Sequence, residues 1–479
     1  MITEAFILLA IIYVALMLFF NKVHRKVISK GPPLICGYIP FVGIAVEYGM
    51  DPRAKIAQLS EKYGDIFTIY VMGQFITVVT NPVDVAKIYS SPKTFNFFEV
   101  GIEFGNRAFT LPRMDDQTNN TLIHDIHHGL QSQELPVLTE RANTFIQRDF
   151  KNFRSKDWKK VNLVEWVGDI ISSVTLRAVY GENCNFKEMA KTFFPFDDKF
   201  AIIASNIPFA VKKKTGLFDI RDSFATNFVP RPEDDACLFL HKRYDAFKGV
   251  KDLSSIQLGN AMSIIGWAAL TNTITTTVWT IYHLLKQPQS VRDEVLDEIR
   301  DVLGERSDGG ALEIPYEQLS NLKKVDAIVS ESLRLHFGVL SSRMCMKKHN
   351  FESSSGRSYE LPARGLMLLA SSHHDPHFFK DPETFIWDRF LHMPSSVIAK
   401  NGKSIPLSSV YLPFGGGANL CPGRFFAKNE IKIMVCLLLT SFDMKVETEE
   451  EPETDKMKWT LQVGPFKEGN IEIRYKNKE

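Results

Sequence analysis

The chain has 479 residues, 44% of them apolar and 24% charged, a composition that supplies a large buried core and excludes a disordered or fibrous protein. Its formal net charge is +1, with no basic stripe or long block of like charge, so nucleic acid is not an expected partner. The six cysteines, Cys36, Cys184, Cys237, Cys345, Cys421 and Cys436, stand far apart without a CxxC pair, which argues for reduced thiols and against a disulfide scaffold or a zinc site.

Residues Ala5 to Phe20 are apolar apart from the Tyr13 hydroxyl, and Lys22, His24, Arg25, Lys26 and Lys30 follow. Extended back to Ile2, the run nearly spans a bilayer of about 30 Å. Positive charge that follows the apolar run favours an uncleaved anchor over a cleaved signal peptide and sets what comes after on the cytosolic side. Gly31-Pro32-Pro33 then breaks any helix. The expected organisation is a transmembrane anchor over 1–21, a basic and Pro/Gly-rich hinge over 22–45, and one large body over 46–479.

In that body, Ile66 to Val71 and Phe75 to Thr80 alternate in polarity around Met72-Gly73-Gln74 and predict a strand pair. Most of the remainder carries helical periodicity. Phe95, Phe97, Phe98, Phe104 and Phe109 form one aromatic stretch, and Phe193, Phe194, Phe196, Phe200, Phe209, Phe218, Phe224 and Phe228 a second. Core packing accounts for part of both, and aromatic walls around a bulky apolar ligand account for the rest. Lys212, Lys213 and Lys214 beside the second stretch suit contact with lipid headgroups. His124 and His128 fall on one helical face, where a surface pair and a functional pair are equally good readings.

The segment Gly259 to Leu285 has no charged residue when His283 is neutral. Asn260, Ser263, Thr271, Asn272 and Thr273 make it too polar for hydrocarbon, so a long helix through a protein core is predicted, not a second membrane span. Further on, Glu331 and Arg334 share a helical face. By itself that pair says little, because surface pairs at this spacing are common and weak. His373-His374-Asp375-Pro376 reads as a turn, since adjacent histidines rarely face one metal ion.

The most specific pattern is Phe414-Gly415-Gly416-Gly417-Ala418-Asn419-Leu420-Cys421-Pro422-Gly423, followed by Arg424 and an apolar helix from about Phe425 to Leu439. The glycines allow a tight turn and a close approach to a flat ligand, with backbone N–H groups free to point at a sulfur. At the start of a helix Cys421 also faces the positive end of the dipole, which is expected to lower its pKa. A phosphate loop is excluded by the lack of a following Gly-Lys-Ser/Thr.

This run resembles the haem-binding loop of cytochromes P-450, and the resemblance extends in order over nearly the whole chain beyond the hinge. It implies a mainly α fold with a small β-rich lobe, preceded by a single N-terminal transmembrane helix. It implies haem b as cofactor, with Cys421 the axial ligand of the iron and Phe414, Gly415 and Gly417 in the binding loop. Glu331 and Arg334 match the family's Glu-x-x-Arg. Arg389, within Phe385-Ile386-Trp387-Asp388-Arg389-Phe390, is the implied third member of a structural clamp, with Trp387 where the family usually has Pro. Arg343 stands where related members bind a haem propionate.

Ala269-Leu270-Thr271-Asn272-Thr273 aligns with the family's Ala-Gly-x-Asp/Glu-Thr. Thr273 is thereby the implied hydroxyl for oxygen activation, while Asn272 replaces the acid of the proton relay and cannot titrate, so protons must arrive through water or another group. The competing reading of Thr273 is a hydroxyl bonded back to its own helix. The run from Trp267 to Thr273, with Trp279, resembles the branch containing sterol 7α- and 12α-hydroxylases and prostacyclin synthase. Asn419 departs from the usual Arg or His at its position, and the usual Trp-x-x-x-Arg is missing around Thr121 to Leu130.

The implied activity is monooxygenation of a sterol, steroid or terpenoid, with electrons from NADPH through NADPH-cytochrome P-450 reductase. The implied place is the endoplasmic reticulum membrane, single-pass, with the body in the cytosol. One alternative is an isomerase or dehydratase of a lipid peroxide or endoperoxide, which the missing acid favours and Thr273 disfavours. Another is a haem- or sterol-binding membrane protein without turnover.

Overall fold

A two-residue turn starts the small β-rich lobe. Met72 and Gly73 both take positive φ, 47° and 79°, the backbone of the tight hairpin turn whose twist matches its flanking strands. They join β2 (Ile66–Val71) to β3 (Gln74–Val79) in antiparallel register, Val71 facing Gln74 and Ile66 facing Val79. The second strand therefore begins and ends one residue before its sequence expectation. With β1 (Leu34–Ile35), β4 (Phe95–Asn96), β5 (Leu340–Cys345) and β6 (Gly365–Ala370), these strands form a six-stranded mixed sheet in the order β1-β2-β3-β6-β5-β4.

The computed structural model describes residues 30–205, 207, 209–229, 235–305, 312–337, 340–455 and 471–478. The expected anchor over 1–21 lies outside these residues, as does the basic part of the hinge up to position 29. Among the described residues no helix is long and apolar enough to cross a membrane.

Most of the rest is helical. The helices that build the site are α1 (Phe98–Phe109), α2 (Asp116–His128), α3 (Leu163–Tyr180), α4 (Phe186–Ala204), α5 (Leu217–Thr226), α6 (Ser255–Lys286), α7 (Lys323–His336) and α8 (Arg424–Ser441). The polar yet uncharged segment is α6, 32 residues long. A reciprocal capping box starts it: Ser254 Oγ accepts from the Gln257 amide at 3.2 Å, and Gln257 Oε1 accepts from the Ser254 amide at 3.1 Å. Helices α3, α5, α7 and α8 pack around α6, which runs through protein, as expected of a core helix.

The segment just after α5 lies close against α6 because position 266 has no side chain. A Cβ there would stand 2.2 Å from the Phe228 ring. Beside it, Tyr180 at the end of α3 reaches into α6. Its hydroxyl accepts from the Gly266 amide at 2.9 Å and donates to the Met262 carbonyl at 2.8 Å.

Candidate active site

The loop before α8 folds on itself. The Cys421 amide donates to the Phe414 carbonyl at 3.0 Å and the Gly415 amide to the Leu412 carbonyl at 3.1 Å. Gly415 and Gly417 take φ of 76° and 69°, which side chains rarely adopt. Cβ atoms at Gly416 and Gly417 would strike Tyr89 at 2.6 and 2.7 Å, whereas one at Gly415 would find nothing nearer than 3.9 Å. One face of the loop thus backs onto protein and the other is open.

The Cys421 side chain is exposed, yet desolvation raises its pKa above the ordinary thiol value, against hydrogen bonds from the Gly423 and Arg424 amides and the Arg424 charge. The expected lowering of its pKa is therefore corrected: the donors are in place, but desolvation outweighs them. A metal ion would reverse the balance, because coordination deprotonates a thiol outright.

Behind the loop, Glu331, Arg334 and Arg389 come together. Arg334 Nε and one terminal nitrogen donate to the two Glu331 oxygens at 2.7 and 2.8 Å, and Arg389 Nε donates to both at 3.0 and 3.1 Å. Glu331 and Arg334 are both 0% exposed. The remaining guanidinium donors go to the carbonyls of His373, Lys380, Asp381, Pro382 and Thr384, so the buried charges are paired and satisfied.

His373 joins this cluster to the loop. Its Nε2 accepts from the Leu412 amide at 2.8 Å, which leaves Nδ1 to donate to the Phe337 carbonyl at 3.1 Å. Its neighbour His374 turns elsewhere, to Arg53 and Glu383. No group of residues suited to hold a metal ion by His, Cys, Asp and Glu together occurs among the described residues.

On α6, the hydroxyls of Thr275, Thr276 and Thr277 donate to the carbonyls four residues earlier at 3.1, 2.7 and 2.7 Å. Thr273 is 5% exposed and, among the described residues, its hydroxyl makes no such return bond. Asn272 beside it is half-buried.

A sequence model described as Cytochrome P450 matches residues 32–212 and 219–469, which is most of the chain. The chain belongs to the cytochrome P450 family. As a cytochrome P450 it is a haem b oxidoreductase. It is 28% identical over 455 residues to Cytochrome P450 7B1 of Mus musculus, covering 90% of this chain and 87% of that protein. It is 25% identical to Cholesterol 7-alpha-monooxygenase of Cricetulus griseus, over 96% of this chain and 95% of that one. Prostacyclin synthase of Rattus norvegicus is also 25% identical, over 93% and 94%. The expected branch is thereby found.

The residues of this P450 fit a haem. Exposed Cys421, the open face of Gly415 and the amides of Gly423 and Arg424 belong to one loop, and Arg343 is tied to that loop through the Gly416 carbonyl. Arg343 is 2% exposed. It donates to the Gly416 carbonyl at 3.2 Å, to Ser341 Oγ at 2.9 Å and to the Ser342 carbonyl at 2.7 Å, and its guanidinium lies 4.7 Å from the Tyr89 ring. Burial lowers its pKa, against Tyr89.

The two phenylalanine stretches converge. Phe104 and Phe109 of α1 meet Phe200 and Phe196 of α4 at 5.3 and 5.5 Å between centroids, and Phe200 stacks on Trp267 of α6 at 3.9 Å. The expectation for Lys212 is corrected: it is buried, and its Nζ donates to the carbonyls of Ile203 and Ser205 at 2.6 and 2.5 Å. A cation at the end of α4 satisfies orphan carbonyls there. Lys213 and Lys214 are exposed. His124 and His128 stack on each other at 5.9 Å on the exposed face of α2, while His127, half-buried, lies within the electrostatic reach of Arg424.

Sequence reasoning missed several groups. His283 and His336 share a hydrogen bond of 2.6 Å between their Nε2 atoms, under Trp279 and Phe385 rings at 3.5 and 4.1 Å. Burial lowers both pKa values, that of His283 to about 3. Glu430 of α8 accepts from Thr175 at 2.8 Å, and burial pushes its pKa up to about 8. Asp197 of α4 binds α6. No local pattern marks the histidines or Asp197. A glycine in the middle of a helix, Gly266, is the local signal of the Tyr180 contact that the sequence reading passed over.

Proposed function

We propose that this cytochrome P450 is a membrane-anchored monooxygenase of a bulky lipophilic substrate, a sterol, steroid or terpenoid, using O2 and electrons from NADPH through NADPH-cytochrome P-450 reductase. Cys421 is the axial thiolate. Gly415, Gly417 and Phe414 bring the loop against the macrocycle, and Arg343 serves a propionate. Glu331, Arg334 and Arg389 hold the fold around the loop and take no part in chemistry. A thiolate-ligated haem supplies an oxidant able to hydroxylate unactivated carbon.

The observation that carries the oxygenase reading is the Thr273 hydroxyl, buried and not returned to its own helix. A hydroxyl so held donates a proton at its Oγ1 toward the ligand space, with Asn272 orienting water beside it. Sterol hydroxylation in relatives such as Cholesterol 7-alpha-monooxygenase supports the substrate class, as does the aromatic wall of Phe104, Phe200 and Trp267.

The anchor over 1–21 and the endoplasmic reticulum location, single-pass with the body in the cytosol, belong to the same proposal. Tyr38, Ile39 and Phe41, just beyond the hinge's proline pair, are 80%, 50% and 46% exposed, an apolar surface suited to the bilayer interface.

A second reading, rearrangement of a lipid peroxide, is favoured by Asn272, which offers no titratable proton, and by the likeness to Prostacyclin synthase. Purified holoprotein separates the two. Turnover of a sterol that depends on NADPH and reductase supports oxygenation, and turnover of a hydroperoxide with neither overturns it. The Cys421→Ala variant must lose the reduced carbon monoxide absorption of a thiolate haem. If that band survives, the ligand assignment fails.

A further inference from the structure

Asp197 sits in α4, two residues beyond the internal Pro195, and faces α6. Its Oδ1 accepts two hydrogen bonds from that helix, from Trp267 Nε1 at 3.0 Å and from Thr271 Oγ1 at 2.8 Å. Trp267 and Thr271 are four residues apart, so one carboxylate oxygen grips one face of α6 across a full turn. The turn it grips leads straight into Asn272 and Thr273. Both hydrogen bonds go to an acceptor that carries charge when ionised, the stronger kind.

The indole held this way is the hub of the aromatic wall. Phe200 stacks on it with ring planes 26° apart, and Phe109 lies at 6.0 Å. Trp267 itself is only half-buried, and Ala268 beside it is exposed, so this stretch of α6 borders open space and not packed core. An indole at such a border has alternative rotamers unless its N–H is tied. Ring stacking alone leaves the indole free to slide in its plane, because stacking has little directionality beside a hydrogen bond.

We infer that Asp197 is a specificity-determining positioning residue: by fixing the Trp267 indole and the Thr271 turn it sets the shape of the pocket wall that the lipophilic ligand meets. The inference deepens the reading of this site proposed above and rests on it for the ligand class. Asp197 acts through Trp267 and touches no reacting atom. It therefore governs how tightly and in which pose a ligand is held, and hence KM and product distribution, more than the rate of chemistry.

Holoprotein labelled with 5-fluorotryptophan tests this with two readouts. The first is the 19F resonance of Trp267, assigned by its loss in Trp267→Phe, and needs no ligand. Asp197→Leu is expected to shift and broaden it, while Asp197→Asn, which keeps an acceptor oxygen, returns it close to its position in the parent protein. The second is titration with a bulky azole, read by the haem spectrum. Asp197→Leu weakens binding about tenfold, Asp197→Asn restores most of it, and in the Trp267→Phe background Asp197→Leu changes affinity by less than about twofold.

An unshifted resonance in Asp197→Leu overturns the inference, as does an unchanged azole affinity or an effect that multiplies with Trp267→Phe. If Asp197→Leu does not fold, Thr271→Val carries the comparison from the other partner: with one of the two bonds that orient Asp197 removed, the Trp267 resonance is expected to move, and an unmoved one overturns the inference. A parent protein without a thiolate haem spectrum defeats the functional reading but leaves the fluorine arm to judge Asp197 by itself.

Discussion

Tyr180 and Gly266 are bound to each other across two helices through groups that an uninterrupted α-helix would use internally. The Gly266 amide donates to the phenol oxygen, and the phenol donates to the Met262 carbonyl, at 2.9 and 2.8 Å. In α6 alone, that amide and that carbonyl are each other's partners. A side chain inserted into the backbone ladder is an established cause of a helix bend, and this one lies one residue before Trp267. Tyr180→Phe is expected to cost about 1–2 kcal/mol, read by urea denaturation of the holoprotein. The loss stays modest because the two backbone groups can close on each other. A cost above about 4 kcal/mol would show that they cannot.

Glu331→Gln leaves two buried guanidiniums sharing one neutral amide. The expected cost is about 3–5 kcal/mol, seen as loss of folded, haem-loaded protein on expression. Arg334→Lys is no remedy, because a single ammonium cannot reach two carboxylate oxygens and the carbonyls of His373 and Pro382 together. Recovery of normal yield in either variant contradicts the view that these residues clamp the fold.

Stability depends on pH through two groups of opposite sense. Glu430 has its folded pKa raised to about 8 from an ordinary 4.5, so the native state holds a proton that the unfolded chain releases, and stability falls as pH rises from 4.5 toward 8. His283 has its folded pKa lowered to about 3 from 6.5, so the unfolded chain takes up the proton and stability falls as pH drops below 6.5 toward 3. Glu430→Gln keeps the Thr175 bond without the ionisation. Its melting temperature is expected to exceed that of the unaltered protein at pH 9 and to match it near pH 5. Equal alkaline melting of the two proteins counts against the buried carboxyl as the cause.

Thr273→Val keeps the shape of the side chain and removes the hydroxyl. Under the oxygenase reading NADPH is still consumed, but product per NADPH falls by about an order of magnitude and hydrogen peroxide takes up the difference. Product and peroxide measured together against NADPH decide it. Full coupling in Thr273→Val favours rearrangement chemistry.

What the sequence made legible was local. The run from Phe414 to Gly423 carries its own geometry, because the glycines and the cysteine act within one loop. Ile66 to Val71 read as a strand because alternation is a short-range property, and the hairpin slipped by one residue only because Gln74 pairs with Val71 instead of turning. Glu331 and Arg334 were visible as a helical pair, and Arg389 followed from the resemblance alone. What stayed hidden depended on the chain's return to itself. Lys212 looked like a headgroup contact and is buried, since the carbonyls it caps belong to another helix end. The direction of the Cys421 shift needed the whole enclosure, which no nearby residue announces. Asp197, His283 and His336 have ordinary neighbours in sequence and gain their meaning from partners 53 to 74 positions away.

His373 ties the Leu412 amide to the Phe337 carbonyl through the two nitrogens of one neutral ring. Its folded pKa is lowered to about 3. Taking up a second proton turns Nε2 from acceptor into donor, so two N–H groups then confront each other where a bond had been. Strong acid therefore unfastens the cysteine loop at its upstream end through a ring whose own bonds are both to backbone, and a protein recovered from such treatment has to re-seat that loop before it can regain its colour.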